Sequence, residues 1–234
     1  WDGEYLIKNN YEYTKTIFFY CQKNHIQLIY ASSASVYGVL KSDFSEITKN
    51  ESPVNMYSYS KYLFDQFLRQ QINKLNSQVI GLRYFNVYGP NESHKGAMAS
   101  TIFHFNNQVL NDGKVRLFKG SDEFGDGEQL RDFVYVDDCA EVNTWFLENK
   151  SKNLSGIYNV GTGESRTFND VAQQVIKYHK TGTIEYIDFP SKLFGSYQSY
   201  TQANLNKLNS LINNNKLFRK IDSGILTYLN LLNK

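Results

Sequence analysis

Apolar and polar positions along the chain fall into blocks that predict helices and buried strands in turn. Residues 11–24 carry apolar positions at helical spacing and predict a helix ending near Asn24. Residues 26–31 form a short apolar run of the kind that a parallel sheet buries on both faces. The run stops at Ser32-Ser33-Ala34-Ser35. In open α/β sheets the C-terminal mouth of such a strand is where ligands bind, although serines there also satisfy loop amides. Residues 39–53 are polar and read as a loop closed by Ser52-Pro53. A helix follows from about Tyr57 to Ile72, with Tyr62, Leu63, Phe67 and Leu68 as its apolar stripe and Asp65, Arg69 and Gln70 on the wet side. Tyr59 and Tyr62 read as packing residues. Residues 78–85 are a second buried strand, ending in Asn86-Val87-Tyr88-Gly89-Pro90.

The second half continues the alternation. A helix is expected over 100–111, with Phe103, Phe105 and Val109 packed, then a short strand over 115–118. Residues 121–129 are an acidic, glycine-containing turn region with no metal-ligand pattern. A short strand then leads into a helix over about 138–148, capped by Asp137 and Asp138. Residues 157–163 read as a strand and tight turn. A helix over 168–179, a strand over 184–187, a loop over 195–198 and a terminal helix over 221–232 complete the chain. Strand, helix and strand joined by short loops imply a βαβ architecture. The fold class is α/β: a doubly wound parallel sheet with a smaller mixed α/β substrate domain. Residues 1–90 and 133–163 are assigned to the first unit, and 91–132 and 164–234 to the second.

Composition narrows the function classes. The formal net charge of +2 asks for neither nucleic acid nor an anionic membrane, and no apolar run approaches a membrane span. Cys21 and Cys139 lie far apart, and His25, His94, His104 and His179 show no metal spacing. A reduced, cytoplasmic setting is expected.

The candidate chemistry centres on Tyr57 and Lys61, one helical turn apart on a shared face. A nearby ammonium favours phenolate over phenol, so such a Tyr can exchange a proton with a substrate hydroxyl. Tyr-x-x-x-Lys also occurs at Tyr11/Lys15 and Tyr37/Lys41. Only the third pair lies on a helix between a strand that ends in serines and another buried strand. The first two therefore read as accidental. Gly161-Thr162-Gly163 lacks the strand-one context of a dinucleotide phosphate loop.

Ser33, Tyr57 with Lys61, and Arg83-Tyr84-Phe85-Asn86-Val87-Tyr88-Gly89-Pro90, in this order, resemble the extended short-chain dehydrogenase/reductases. Most members act on nucleotide-diphosphate sugars. His94-Lys95-Gly96, followed by Met98-Ala99-Ser100, is similar to the ADP-L-glycero-D-manno-heptose 6-epimerase family. That resemblance implies an isomerase using NADP, in the supply of heptose for lipopolysaccharide. It implies Tyr57, Lys95 and Ser33 as catalytic residues. Asn9, Lys61, Val87 and Lys95 would contact the cofactor. Asn86, Ala97, His104, Phe118, Lys119, Gly120, Ser121, Arg131 and Tyr197 would hold the ADP-sugar. Ala97 departs from the Ser found in some relatives. Family members form rings of five.

Family members also begin with a strand and a Gly-rich turn that precede anything seen here. The sequence from Trp1 is expected to start inside the nucleotide domain, with about 80 residues upstream on the usual βαβ unit length. A dehydratase would carry an acid beside the catalytic Tyr, whereas Met56 and Ser58 flank Tyr57. The alternatives kept open are another sugar-nucleotide epimerase, such as a UDP-sugar 4-epimerase, and an inactive fragment or binding module.

Overall fold

The computed structural model describes residues 2–121, 123–212 and 218–234. Trp1, Asp122 of the acidic turn and the asparagines at 213–215 lie outside them.

The chain opens on one continuous helical stretch, longer than the periodicity predicted. It comprises α1 (Gly3–Ile7), a single π-helical turn over Lys8–Glu12 and α2 (Tyr13–Lys23). Asp2 caps it by accepting from the backbone N–H of Glu4 and Tyr5. Strand β1 (Leu28–Ser33) starts two residues later than expected and runs through both serines. Helix α3 (Met56–Gln71) leads into β2 (Val79–Tyr84), and the crossover lays β2 parallel beside β1. Strand β3 (Asn86–Tyr88) leaves that sheet and is followed by α4 (Thr101–Asp112) and β4 (Lys114–Phe118). Gly113 ends α4 in the left-handed conformation that favours glycine. Strand β5 (Leu130–Tyr135), α5 (Val136–Glu148) and β6 (Gly156–Val160) come next. Then follow β7 (Ser165–Thr167), α6 (Phe168–His179), β8 (Thr183–Ile187), the short α7 (Asn206–Asn209) and α8 (Ile221–Leu232).

Strands β1, β2 and β6 form one parallel sheet in the order β1-β2-β6. Strand β3 pairs parallel with β5, whose start pairs antiparallel with β7, and β4 pairs parallel with β8. One core lies under α4, α6 and α8 and includes Tyr88, Ile102, Phe105, Val175 and Tyr228. Another joins α2 and α3 to β1 through Phe18, Tyr30, Phe64 and Leu68. Apolar residues of β2, β6 and α5 form a third, with Ile80, Leu82, Val142 and Phe146.

Three expectations about side-chain placement are corrected. Tyr59 is 43% exposed and stacks on the half-buried Tyr62 at the surface, so it is not a core residue. The acidic pair does not cap α5: the helix begins at Val136, and both carboxylates lie in its first turn. There they suit the positive end of the helix dipole, and Asp138 also accepts from Arg219 Nε at 2.8 Å. Asp65 is not on a wet face but fully buried. Its carboxylate accepts from Tyr30 Oη and Ser32 Oγ, each at 2.8 Å, and from Arg83 Nε at 2.9 Å. Arg83 also reaches Glu51, which pairs with Arg69 as well. Burial opposes the Arg83 charge, but Asp65, Tyr37 and Glu51 outweigh it and hold the guanidinium protonated above its ordinary range.

Helix α8 sits close against β3 because Gly224 lets it. A Cβ there would meet Tyr88 Oη at 2.1 Å and its Cζ at 3.1 Å. Tyr88 is buried and its ring packs on Tyr135, so it has little room to yield. Helix propensity alone favours Ala over Gly. Even so, Gly224→Ala is expected to destabilise by about 1–3 kcal/mol in urea unfolding, the usual scale of overpacking. A stabilised variant would contradict this packing.

Candidate active site

Helix α3 is started by a capping box that sets the position of Tyr57. Asn55 Oδ1 accepts from the Ser58 N–H at 2.9 Å, and Ser58 Oγ accepts from the Asn55 N–H at 3.1 Å. Tyr57 is thereby held in the first turn, 41% exposed. Lys61, one turn on, donates from Nζ to the Ala31 carbonyl of β1 at 2.9 Å and lies 6.0 Å from the Tyr57 ring centroid. Burial lowers the Lys61 ammonium below its usual range, while the Asp65 carboxylate pulls the other way.

Ser33 ends β1 and caps the 3₁₀ turn Ala34–Tyr37. Its Oγ accepts from the Ser35 N–H at 3.2 Å and from Ser35 Oγ at 2.9 Å. Ser33 therefore satisfies the loop, as one reading of the serines expects, and keeps its own hydroxyl proton to donate. Asn86 is exposed where β3 leaves the sheet, and Val87 beside it is half-buried. Asn9 donates from Nδ2 to the Tyr5 carbonyl inside its own helix, whereas Asn10 reaches Ser60 of α3 at 3.0 Å.

Lys95 occupies the 3₁₀ segment Ser93–Met98, which kinks at Gly96 with φ 55°. Lys95 and Ala97 are exposed in this segment. Its two ends are joined by Glu92, whose carboxylate accepts from the Ser100 N–H at 2.7 Å and Ser100 Oγ at 2.6 Å.

The other expected residues gather in the second half. A cavity of about 240 Å³ is lined by His104, Gln108, Arg116, Phe118, Phe168 and Tyr197. A larger one of about 420 Å³ is lined by Ser121, Phe124, Leu130, Phe189, Phe194 and Tyr200, and shares Tyr197 with the first. Arg131 is 6% exposed, with its guanidinium 4.8 Å from the Tyr197 ring centroid and 5.7 Å from that of Phe168. Burial lowers its pKa. No carboxylate pairs with it among the described residues, so an anion would relieve a buried, uncompensated charge. Lys119 differs, since it is exposed and paired with Asp188 at 2.7 Å. Gly120 donates its N–H to Asp126, and Ser121 Oγ accepts from Gln129.

The structure thus brings His104, Phe118, Ser121 and Tyr197 around two adjoining cavities, with Arg131 buried against the Tyr197 and Phe168 rings. Tyr57, Lys61 and Lys95 line neither cavity; Tyr57 and Lys95 are exposed, and Lys61 is half-buried against β1. Lys61 Nζ carries three donors, and the Ala31 carbonyl takes one. With the exposed Tyr57 at the C-terminal mouth of a parallel strand, this fits the ribose end of a nicotinamide dinucleotide. The Gly161–Gly163 turn does not fit a pyrophosphate, because the N–H groups of Thr162 and Gly163 already donate to buried Asp132.

Residues 2–161 match the NAD dependent epimerase/dehydratase family. The chain is 52% identical to an ADP-L-glycero-D-manno-heptose-6-epimerase of Alkalilimnicola ehrlichii over 229 residues, which is 98% of this chain and 70% of that protein. The crystal structure of the Helicobacter pylori ADP-L-glycero-D-manno-heptose-6-epimerase is similar at a TM-score of 0.84 and 31% identity, covering 100% of this chain and 68% of that one. The Thermus thermophilus UDP-glucose 4-epimerase complex with NAD is similar at a TM-score of 0.76 and 25% identity, over 94% of this chain and 68% of that one.

Proposed function

The chain belongs to the NAD dependent epimerase/dehydratase family, and from that premise we propose that it interconverts ADP-D-glycero-D-manno-heptose and ADP-L-glycero-D-manno-heptose at C6. The observation that carries this reading is the Lys61 amine one helical turn from Tyr57, 6.0 Å from its ring centroid. Tyr57 with Lys61 stands at the mouth of β1, and Lys95 stands on a clasped segment after β3.

C6 of the heptose is not acidified by a carbonyl, so its inversion passes through a ketone at that carbon. When bound, the nicotinamide supplies the hydride acceptance and return that this requires. Tyr57 exchanges the hydroxyl proton on one side of the sugar, and Lys95 does so on the other. Lys61 holds the cofactor ribose beside Tyr57. Ser33 donates its remaining proton to the reacting oxygen. Arg131 takes the diphosphate with its planar fork. His104, Phe118 and Tyr197 enclose the nucleoside, while Asn86, Lys119, Gly120, Ser121 and the backbone at Ala97 complete the ADP-sugar contacts. NADP is the proposed form of the cofactor, contacted also by Asn9, Val87 and Lys95. The proposed setting is a cytoplasmic homo-oligomer that supplies heptose for lipopolysaccharide. Residues 1–90 and 133–163 serve the cofactor in this scheme, and 91–132 and 164–234 the sugar nucleotide. No helix among the described residues is long and apolar enough to cross a membrane.

The test is to incubate the full chain and nicotinamide cofactor with the D,D-heptose nucleotide and separate the two epimers by chromatography. The L,D epimer should accumulate with no net change in reduced cofactor. Stoichiometric reduction without epimer, or turnover of UDP-glucose in its place, would reject the assignment.

A further inference from the structure

Lys95 lies on a segment that is exposed from Ser93 to Met98. An amine on such a segment has no packing of its own to aim it. What defines the segment is its neck. Glu92 is 4% exposed and sits immediately before it, and Ser100 immediately follows Ala99. Within the segment, Lys95 N–H donates to the Glu92 carbonyl and Ala99 N–H to the Gly96 carbonyl, each at 3.0 Å. Across the neck, both Glu92 carboxylate oxygens are used by Ser100, from N–H at 2.7 Å and Oγ at 2.6 Å. The oxygen that receives Ser100 Oγ also accepts from Tyr228 Oη at 2.7 Å. Tyr228 is fully buried in the core under α8. Ser100 also caps α4 by accepting from the Phe103 N–H at 3.3 Å. One buried carboxylate therefore ties both ends of an exposed loop to two helices, α4 through Ser100 and α8 through Tyr228.

We propose that Glu92 is a positioning residue for Lys95: it clasps the 93–98 segment shut against Ser100 and Tyr228 and so fixes where the Lys95 amine stands. This rests on the reading of Lys95 as a proton-exchanging group. Glu92 touches no substrate in this scheme. A carboxylate suits the position because it can accept three hydrogen bonds and needs to donate none. Glutamine has the same shape, but with its amide NH2 toward the hydroxyls it would have to donate to both, which turns their protons away and loses the charge-assisted bonds.

The test is a double-mutant cycle on epimerisation by the full chain. Glu92→Gln should lower kcat by about 10- to 100-fold, the scale of a misplaced catalytic group, with KM for the heptose nucleotide nearly unchanged. In a Lys95→Met background the same substitution should cost nothing further, because the group it aims is gone. Amide exchange should show lost protection at Lys95 and Ala99, with α4 still protected. Should Glu92→Gln fail to fold, Tyr228→Phe removes one of the three bonds and should give a smaller, equally non-additive loss. Losses that multiply in the Lys95→Met background would overturn the proposal, as would full kcat in both clasp variants. If Lys95→Met alone is harmless, the role of Lys95 itself fails, and the clasp has nothing to aim.

Discussion

Tyr57→Phe and Lys95→Met are each expected to slow interconversion of the two heptose nucleotides by at least about two orders of magnitude, the usual scale for losing a positioned acid or base. Phe keeps the ring beside Lys61 and the packing of the first turn of α3, and removes only the hydroxyl. Met keeps the length of the Lys95 side chain and its place on an exposed segment, and removes only the amine. Neither residue is buried, so folding should be little affected. Kinetics measured from each epimer in turn would check the result. Interconversion at the normal rate in both variants would reject a scheme with two proton-exchanging groups.

The second large effect is on stability. Arg83→Leu is expected to cost about 3–5 kcal/mol in urea unfolding, the scale of breaking a buried ion pair from one side. Arg83, Asp65 and Glu51 have fully inaccessible side chains. Leu would leave Asp65 and Glu51 buried without their shared cation. Burial alone would raise the Glu51 carboxyl, but Arg69 and Arg83 together hold it below its usual range. Removing Asp65 as well, in Arg83→Leu with Asp65→Leu, should recover part of the loss, because Glu51 still has Arg69 at 2.6 Å. A cost under about 1 kcal/mol for the single variant, the range of a surface ion pair, would show that the cluster contributes little. Because Asp65 lies one turn beyond Lys61 on α3, the same cluster also anchors the helix that presents Tyr57.

The elements were legible wherever the signal is local. Short apolar runs marked β1 and β2, and α6 and α8 were placed to the residue, α6 by its amphipathic spacing. Tyr57 and Lys61 were legible for the same reason, since one helical turn puts them together whatever the rest of the chain does. Asp65 was misjudged because a carboxylate on an amphipathic helix normally faces water. The available signal lay elsewhere: Arg83 ends the apolar run Val79-Ile80-Gly81-Leu82, and a cation in a buried strand needs a buried anion. Glu92 gave no such signal, because it sits in a polar loop and its partner Tyr228 is 136 residues away. Lys119 was recognised as a candidate ligand, but its pairing with Asp188, 69 residues on, depends on β4 lying beside β8. The length of the first helix was underestimated because Gly3 and the polar 8–10 stretch interrupt the apolar pattern, while Asp2 supplies the cap.

Seating of the two proposed proton-exchanging residues has a mechanical consequence. Tyr57 rides on α3, whose buried face belongs to the core of Phe18, Tyr30 and Phe64. The segment bearing Lys95 is moored through Tyr228 to the separate core under α8. With the two seats in different cores, a substitution that loosens one core is expected to disturb one of these residues and leave the other in place.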